Sequence, residues 1–293
     1  MQKAARHKNN CIFFLLLTVI LFSNINPMVY AQEDQKLISK IDSSLQKLVT
    51  IQQKIKDIHP YLKFFNPVAI YENDSLFIFD IDSVSNKYEY KKKNQAPFPM
   101  PDGIRASFPI EAYSGKPVCI VTNDIFESLN GYITIFHEFV HCRQFLTVEL
   151  QLKNQLEIAK EAAKKNDYSW EITYPFPYAD TIFVNNYSSL IKAADTNDFR
   201  SVVKYRNNLK EYLKLTDYEY MIWEEWKEGF ARLIENKICR RYNLKENTFG
   251  SEKPYNRITF YYGGEKYIKF LIGNNPVLYT NMKDLFYTML GKK

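Results

Sequence analysis

The stretch ITIFHEFVHCRQF, from Ile133 to Phe145, sets His137 and His141 four residues apart, with Glu138 directly after the first. On an α-helix that spacing stacks both imidazoles on one face. The pattern H-E-x-x-H lets a helix offer two nitrogen ligands to Zn²⁺ and place a carboxylate beside the metal's water. The competing reading is a pair of buried, hydrogen-bonded helix histidines. A third ligand elsewhere in the chain would favour the metal, because a catalytic zinc site needs three protein ligands and one open position.

Candidates for that ligand are few. No histidine follows His141, which excludes the extended H-E-x-x-H-x-x-G-x-x-H sites. His59, ahead of Pro60, has no metal spacing to anything nearby and reads as a surface or capping residue. A carboxylate is therefore required. In IWEEWKEGFARLIEN, Glu224, Glu228 and Glu235 fall along one helical face, and any of them could meet the metal. Glu228 is preferred because Gly229 and Ala231 beside it are small, which lets this helix approach the motif helix closely. A glycine inside a helix costs about 1 kcal/mol relative to alanine, so a packing reason is expected there.

The N-terminus bounds the compartment. Lys3, Arg6 and Lys8 precede an apolar run from Cys11 to Phe22, and Ala31 supplies a small residue before a cleavage point. This is the pattern of a signal peptide over residues 1–31, with an apolar run too short for a permanent anchor. The mature chain is expected to be exported, periplasmic or extracellular, with no stable membrane anchor. Losing the leader lowers the formal charge from +6 to +3. No stripe of Lys and Arg alternates with aromatics, so nucleic acid is set aside as a partner. Cys119, Cys142 and Cys239 remain, lack C-x-x-C spacing, and read as small buried apolar residues.

Along the mature chain, Leu37, Ile41, Leu45, Leu48, Ile51, Ile55 and Ile58 form a helical stripe ended by Pro60. PVAIYENDSLFIFDID then reads as a β-hairpin turning at Glu72, Asn73 and Asp74, and residues 91–109, with four prolines, as a loop. The run Val118 to Val121 looks like a strand just ahead of the motif helix, with an edge free to pair with a bound peptide. Beyond Gly131 the chain reads as mostly helical, the motif helix continuing towards Lys165. Domain boundaries are expected at a leader 1–31, an N-terminal helix and hairpin region 32–109, and a larger domain 110–293.

Together, HEFVH and WKEGFA, Trp226 to Ala231, resemble the two motifs of gluzincin metallopeptidases of the aminopeptidase N type. The resemblance covers these two helices alone. It implies an α+β fold, a mainly α-helical zincin-like metallopeptidase domain with a small β-rich N-terminal part. It implies Zn²⁺ held by His137, His141 and Glu228, with Glu138 as general base, acting on a peptide or protein substrate. In that family a tyrosine downstream of the third ligand steadies the oxyanion; Tyr261 and Tyr262 are the candidates, and Tyr262 is assigned the role. The chain departs from the family in the long insert between the motifs, residues 142–227, and in having no G-x-M-E-N segment, which removes the basis for aminopeptidase specificity. Glu235 and Gln144 lie about two turns from Glu228 and one turn from His141, placed to orient the imidazoles. The alternative function is a non-catalytic metal-binding or interaction protein on the same scaffold; Glu138 argues against it, since a site that only bound metal needs no base.

Overall fold

The computed structural model describes residues 9–292, with side chains from residue 32 onward; the expected leader, 1–31, lies outside the described side chains. The chain is mixed α+β. Helix α1 (Asn9–Ile55) leads into a sheet of β1 (Val68–Glu72), β2 (Ser75–Ile81), β3 (Tyr88–Gln95), β4 (Arg105–Ile110) and β5 (Lys116–Val121). The helical part follows: α2 (Leu129–Gln144), α3 (Leu150–Lys153), α4 (Glu157–Lys164), α5 (Trp170–Thr173), α6 (Thr181–Asp195), α7 (Phe199–Tyr212), α8 (Leu215–Arg241), α9 (Thr259–Asn274) and α10 (Met282–Leu290). Among the described residues no helix is long and apolar enough to cross a membrane.

The stripe on α1 is buried, with Ile41, Leu45, Leu48 and Ile55 fully enclosed. Burying each such side chain stabilises by about 1.5–3 kcal/mol, and this holds the helix on the sheet and the helical core. The hairpin forms because Asn73 and Asp74 both accept positive φ, 48° and 55°, which a two-residue turn of the right twist requires. Sheet order is β3-β2-β1-β5-β4, with β1 and β5 parallel and every other pair antiparallel.

Three expectations are corrected here. Residues 91–109 are not a loop: they contain the end of β3 and most of β4. YEYKKKNQ hides its strand because seven of its eight side chains are at least partly exposed at a sheet edge, where lysines suit solvent and discourage further pairing. Pro109 is tolerated because β4 is the opposite edge strand. Second, β5 has no free edge; it lies between β1 and β4, so the open edge near the motif helix belongs to β4. Third, the motif helix does not run unbroken to Lys165. After Gln144 it loosens into a π-helical turn, Phe145–Glu149, then α3, and a break precedes α4.

The sheet buries both faces. Val68, Ile70, Phe77, Phe79, Cys119 and Val121 face the helical core. Ala69, Ile78, Val118 and Ile120 face a smaller core closed by Met100 and Ile110. The three described cysteines are all free and buried. His59 is a capping residue, as expected, but it is not on the surface. It is 1% exposed, its Nδ1 accepts from the Tyr61 N–H at 3.2 Å, and its Nε2 lies 2.9 Å from the Tyr279 carbonyl.

Candidate metal centre

Helix α2 starts where Ser128 caps it, accepting from the Gly131 N–H at 3.1 Å. Gly131 is required at this start: a Cβ there would come within 1.8 Å of the Ile125 carbonyl oxygen. From that start the helix presents His137 and His141 towards α8, which crosses it and brings Glu228 between them. Glu228 Oε2 lies 3.5 Å from His137 Nε2 and 3.2 Å from His141 Nε2. One donor atom from each of the three residues lies within 4.8 Å of the other two, and all three residues are buried.

The other ring nitrogens are held. His137 Nδ1 lies 2.9 Å from Glu235 Oε2, and His141 Nδ1 lies 2.9 Å from Gln144 Oε1. Glu235 is itself fixed by Arg232 Nε at 3.1 Å and Asn247 Nδ2 at 2.8 Å. Gln144 Nε2 donates to the Lys227 carbonyl at 3.2 Å, tying α2 to α8 beside the ligand position. Such outer contacts fix which nitrogen of each imidazole faces inward. Glu138 Oε2 accepts from Ser107 Oγ on β4 at 2.9 Å.

Gly229 does not serve the approach expected of it. A Cβ at Gly229 would meet Gly264 Cα on α9 at 2.6 Å, so the glycine lets α8 cross α9, not α2. Gly264 answers it, since a Cβ there would lie 2.5 Å from the Glu225 carbonyl oxygen. Gly264, the second of the GlyGly pair after Tyr262, is thus the counterpart of the glycine in WKEGFA, while Gly263 makes room for the Tyr187 ring.

That crossing delivers further groups. Arg257, just before α9, donates to Glu228 Oε1 at 3.0 Å. Its Nε also lies 2.8 Å from Glu224 Oε2, an ionic contact without hydrogen-bond geometry, so both buried oxygens of Glu224 lack a hydrogen-bond donor. Tyr261 lines the cleft with His137, Glu138 and Arg257, a cavity of about 460 Å³. Tyr262 is corrected: one position on round the helix, it lines a separate cavity with Ser188, Lys192 and Asp195. Ser107, Arg232, Asn247 and Arg257 carry no motif and come together only through the fold.

The electrostatics favour a positive charge at the centre of the cluster. Burial opposes charging His137, yet hydrogen bonds to Glu228 and Glu235 prevail and raise its pKa to about 10. Burial also works against the Glu228 carboxylate, but the two histidines and Arg257 hold its pKa well below the usual range. Burial pushes Glu224 up to about 8, against the pull of Arg257. The donor set could hold a metal ion: two imidazole nitrogens aimed at one carboxylate oxygen, each ring steadied from behind. The proton that the carboxylates hold on His137 occupies the charge such a cation would bring.

Comparison with protein-family models, with curated proteins and with solved structures returns no match for this chain.

Proposed function

We propose that this chain is an exported, zinc-dependent metallopeptidase of gluzincin type that hydrolyses peptide bonds. The observation carrying the reading is the buried cluster of His137, His141 and Glu228, with Glu138 beside it in an open cleft. Bound zinc would supply Lewis acidity, polarising a carbonyl and easing deprotonation of a water.

The remaining work falls to side chains of this chain. Glu138 takes the proton of the attacking water and passes it to the leaving nitrogen, and Ser107 Oγ fixes its carboxylate for both transfers. Tyr261 is the candidate donor to the developing oxyanion. Burial, and then Glu228, raise its pKa well above 10, so the phenol keeps its proton. Arg257 holds Glu228 and keeps its second oxygen engaged. The free edge of β4, which carries Ser107, offers backbone groups to an extended peptide. The signal-peptide pattern expected over residues 1–31 would suit a substrate outside the cytoplasm.

Glu138→Gln tests this reading. Zinc retained with hydrolysis of a peptide library abolished fits the assignment; a variant as active as the parent would remove Glu138 from the reaction, and with it the mechanism.

A further inference from the structure

We infer that this site cleaves within chains, not from their ends: the cleft takes an extended polypeptide that passes through it and protrudes on both sides. The inference rests on the peptidase reading and specifies its substrate class.

The first observation is shape. The central cavity adjoins a second, of about 630 Å³, across Thr134, Glu235 and Asn247, walled by the segment joining α8 to α9. On its other side it adjoins a third, of about 370 Å³, across Phe108, His141 and Tyr168. The metal cluster therefore lies partway along a groove, with room before and after it. The insert between the two motifs builds one of its walls: Tyr168 and Ile172 line the central cavity and are 84% and 71% exposed. Phe249, 78% exposed, stands at the other end.

The second observation is charge. An exopeptidase must receive an ammonium or carboxylate terminus, which calls for an opposite charge not already neutralised. Among the described residues the central cavity has almost none. Arg105 is paired with Asp124, Lys227 with Glu149 and Glu171, Arg232 with Glu235, and Arg257 with Glu224 and Glu228. Glu171 is also paired with Lys153. The exception is Glu138, which receives only the Ser107 hydroxyl. A terminal ammonium bound there would occupy the base. Lys245 and Glu252 are exposed in the outer cavity, away from the metal cluster, where solvent already satisfies their charge. A cleft of satisfied charges suits the neutral backbone of an internal segment. Water then adds across an internal C–N bond, leaving a new carboxylate on one fragment and a new amine on the other.

The test uses the zinc-loaded mature chain on reduced, carboxymethylated casein and on 12-residue peptides with free or acetylated and amidated ends. Mass spectrometry should find internal cuts, with rates changed less than about twofold by blocking the ends. Release of single residues or dipeptides from an end, or loss of cleavage on blocking, would overturn the inference while leaving the peptidase reading intact. If neither form is cut although zinc is bound, that reading fails. The Glu138→Gln protein then decides the groove by fluorescence anisotropy. Labelled end-blocked 12-residue peptides should bind, and lose at least tenfold in affinity when shortened from either side or when Tyr168→Ala or Phe249→Ala is added. Absent binding, or binding that needs a free end, would refute the through-groove.

Discussion

Substituting Gly229 by alanine tests whether a glycine crossing assembles the site. The new methyl carbon would lie 2.6 Å from Gly264 Cα, 2.7 Å from its carbonyl carbon and 2.9 Å from the Glu265 nitrogen. All three atoms are backbone, so no side chain can swing aside. Reaching an ordinary contact near 3.4 Å requires α9 to move by roughly 0.8 Å. Overpacking of this kind costs about 1–3 kcal/mol. Better helix propensity returns about 1 kcal/mol. The net loss should be up to about 2 kcal/mol, a fall in Tm of up to roughly 8 °C for a chain of this size. Because α9 and its lead-in carry Tyr261 and Arg257, the same shift misaligns groups around Glu228, and a displacement near 1 Å can lower turnover up to about 100-fold. Gly273 provides the control. No atom lies within 4 Å of its added Cβ, so Gly273→Ala should be neutral or stabilise by up to about 1 kcal/mol. Calorimetry and peptide hydrolysis on both variants give the answer. A Gly229→Ala protein that melts above the parent, or matches it in both Tm and turnover, would refute the crossing argument.

Further outcomes follow from other buried groups. Burial first, and Lys237 to a lesser degree, lower the pKa of His59 from 6.5 to about 4 against the Tyr279 carbonyl, so the unfolded chain binds that proton first as pH falls. Stability should decline from pH 6.5 towards pH 4 by up to about 3 kcal/mol, and urea titrations should show this component missing in His59→Gln. Arg206 pairs with Glu225 at 2.6 Å, both buried, and Tyr187 donates to the same carboxylate at 2.9 Å. Arg206→Ala leaves a buried carboxylate unpaired and should cost about 3–5 kcal/mol by denaturant unfolding; a change under 1 kcal/mol would show that water reaches the pair. Glu235→Ala removes the acceptor behind His137 and should weaken zinc binding about 10–100-fold in competition with a chromophoric chelator, whereas unchanged affinity would deny it an orienting role.

What could be read beforehand depended on how local each signal was. The α1 stripe, the hairpin turn and the His137–His141 spacing depend on neighbours within one or two turns, so the chain order already encodes them. Glu228 was legible through the likeness of WKEGFA to a known motif and the small residues beside it, although α8 also buries Glu224, Glu225, Arg232 and Glu235. The edge strands β3 and β4 were not: one is polar and solvent-facing, the other carries a proline, and both are strands only because β2 and β5 pair with them. Gly229 was correctly marked as a packing residue, but periodicity gives no partner, and α9 rather than α2 receives it. The choice of Tyr262 over Tyr261 failed for a related reason, since adjacent helix positions point about 100° apart and only the packed α9 decides which faces the cleft. Ser107, Arg232, Asn247 and Arg257 reach the site from distant parts of the chain without any spacing of their own.

The most direct test of the account is the zinc content of the purified mature protein, measured by elemental analysis beside His137→Ala and Glu228→Ala. The account predicts about one zinc per chain in the parent and a loss in both variants, since the two residues come from different helices and share one site. A parent that holds no zinc after metal-replete purification, or a Glu228→Ala protein that binds it as well as the parent, would contradict it.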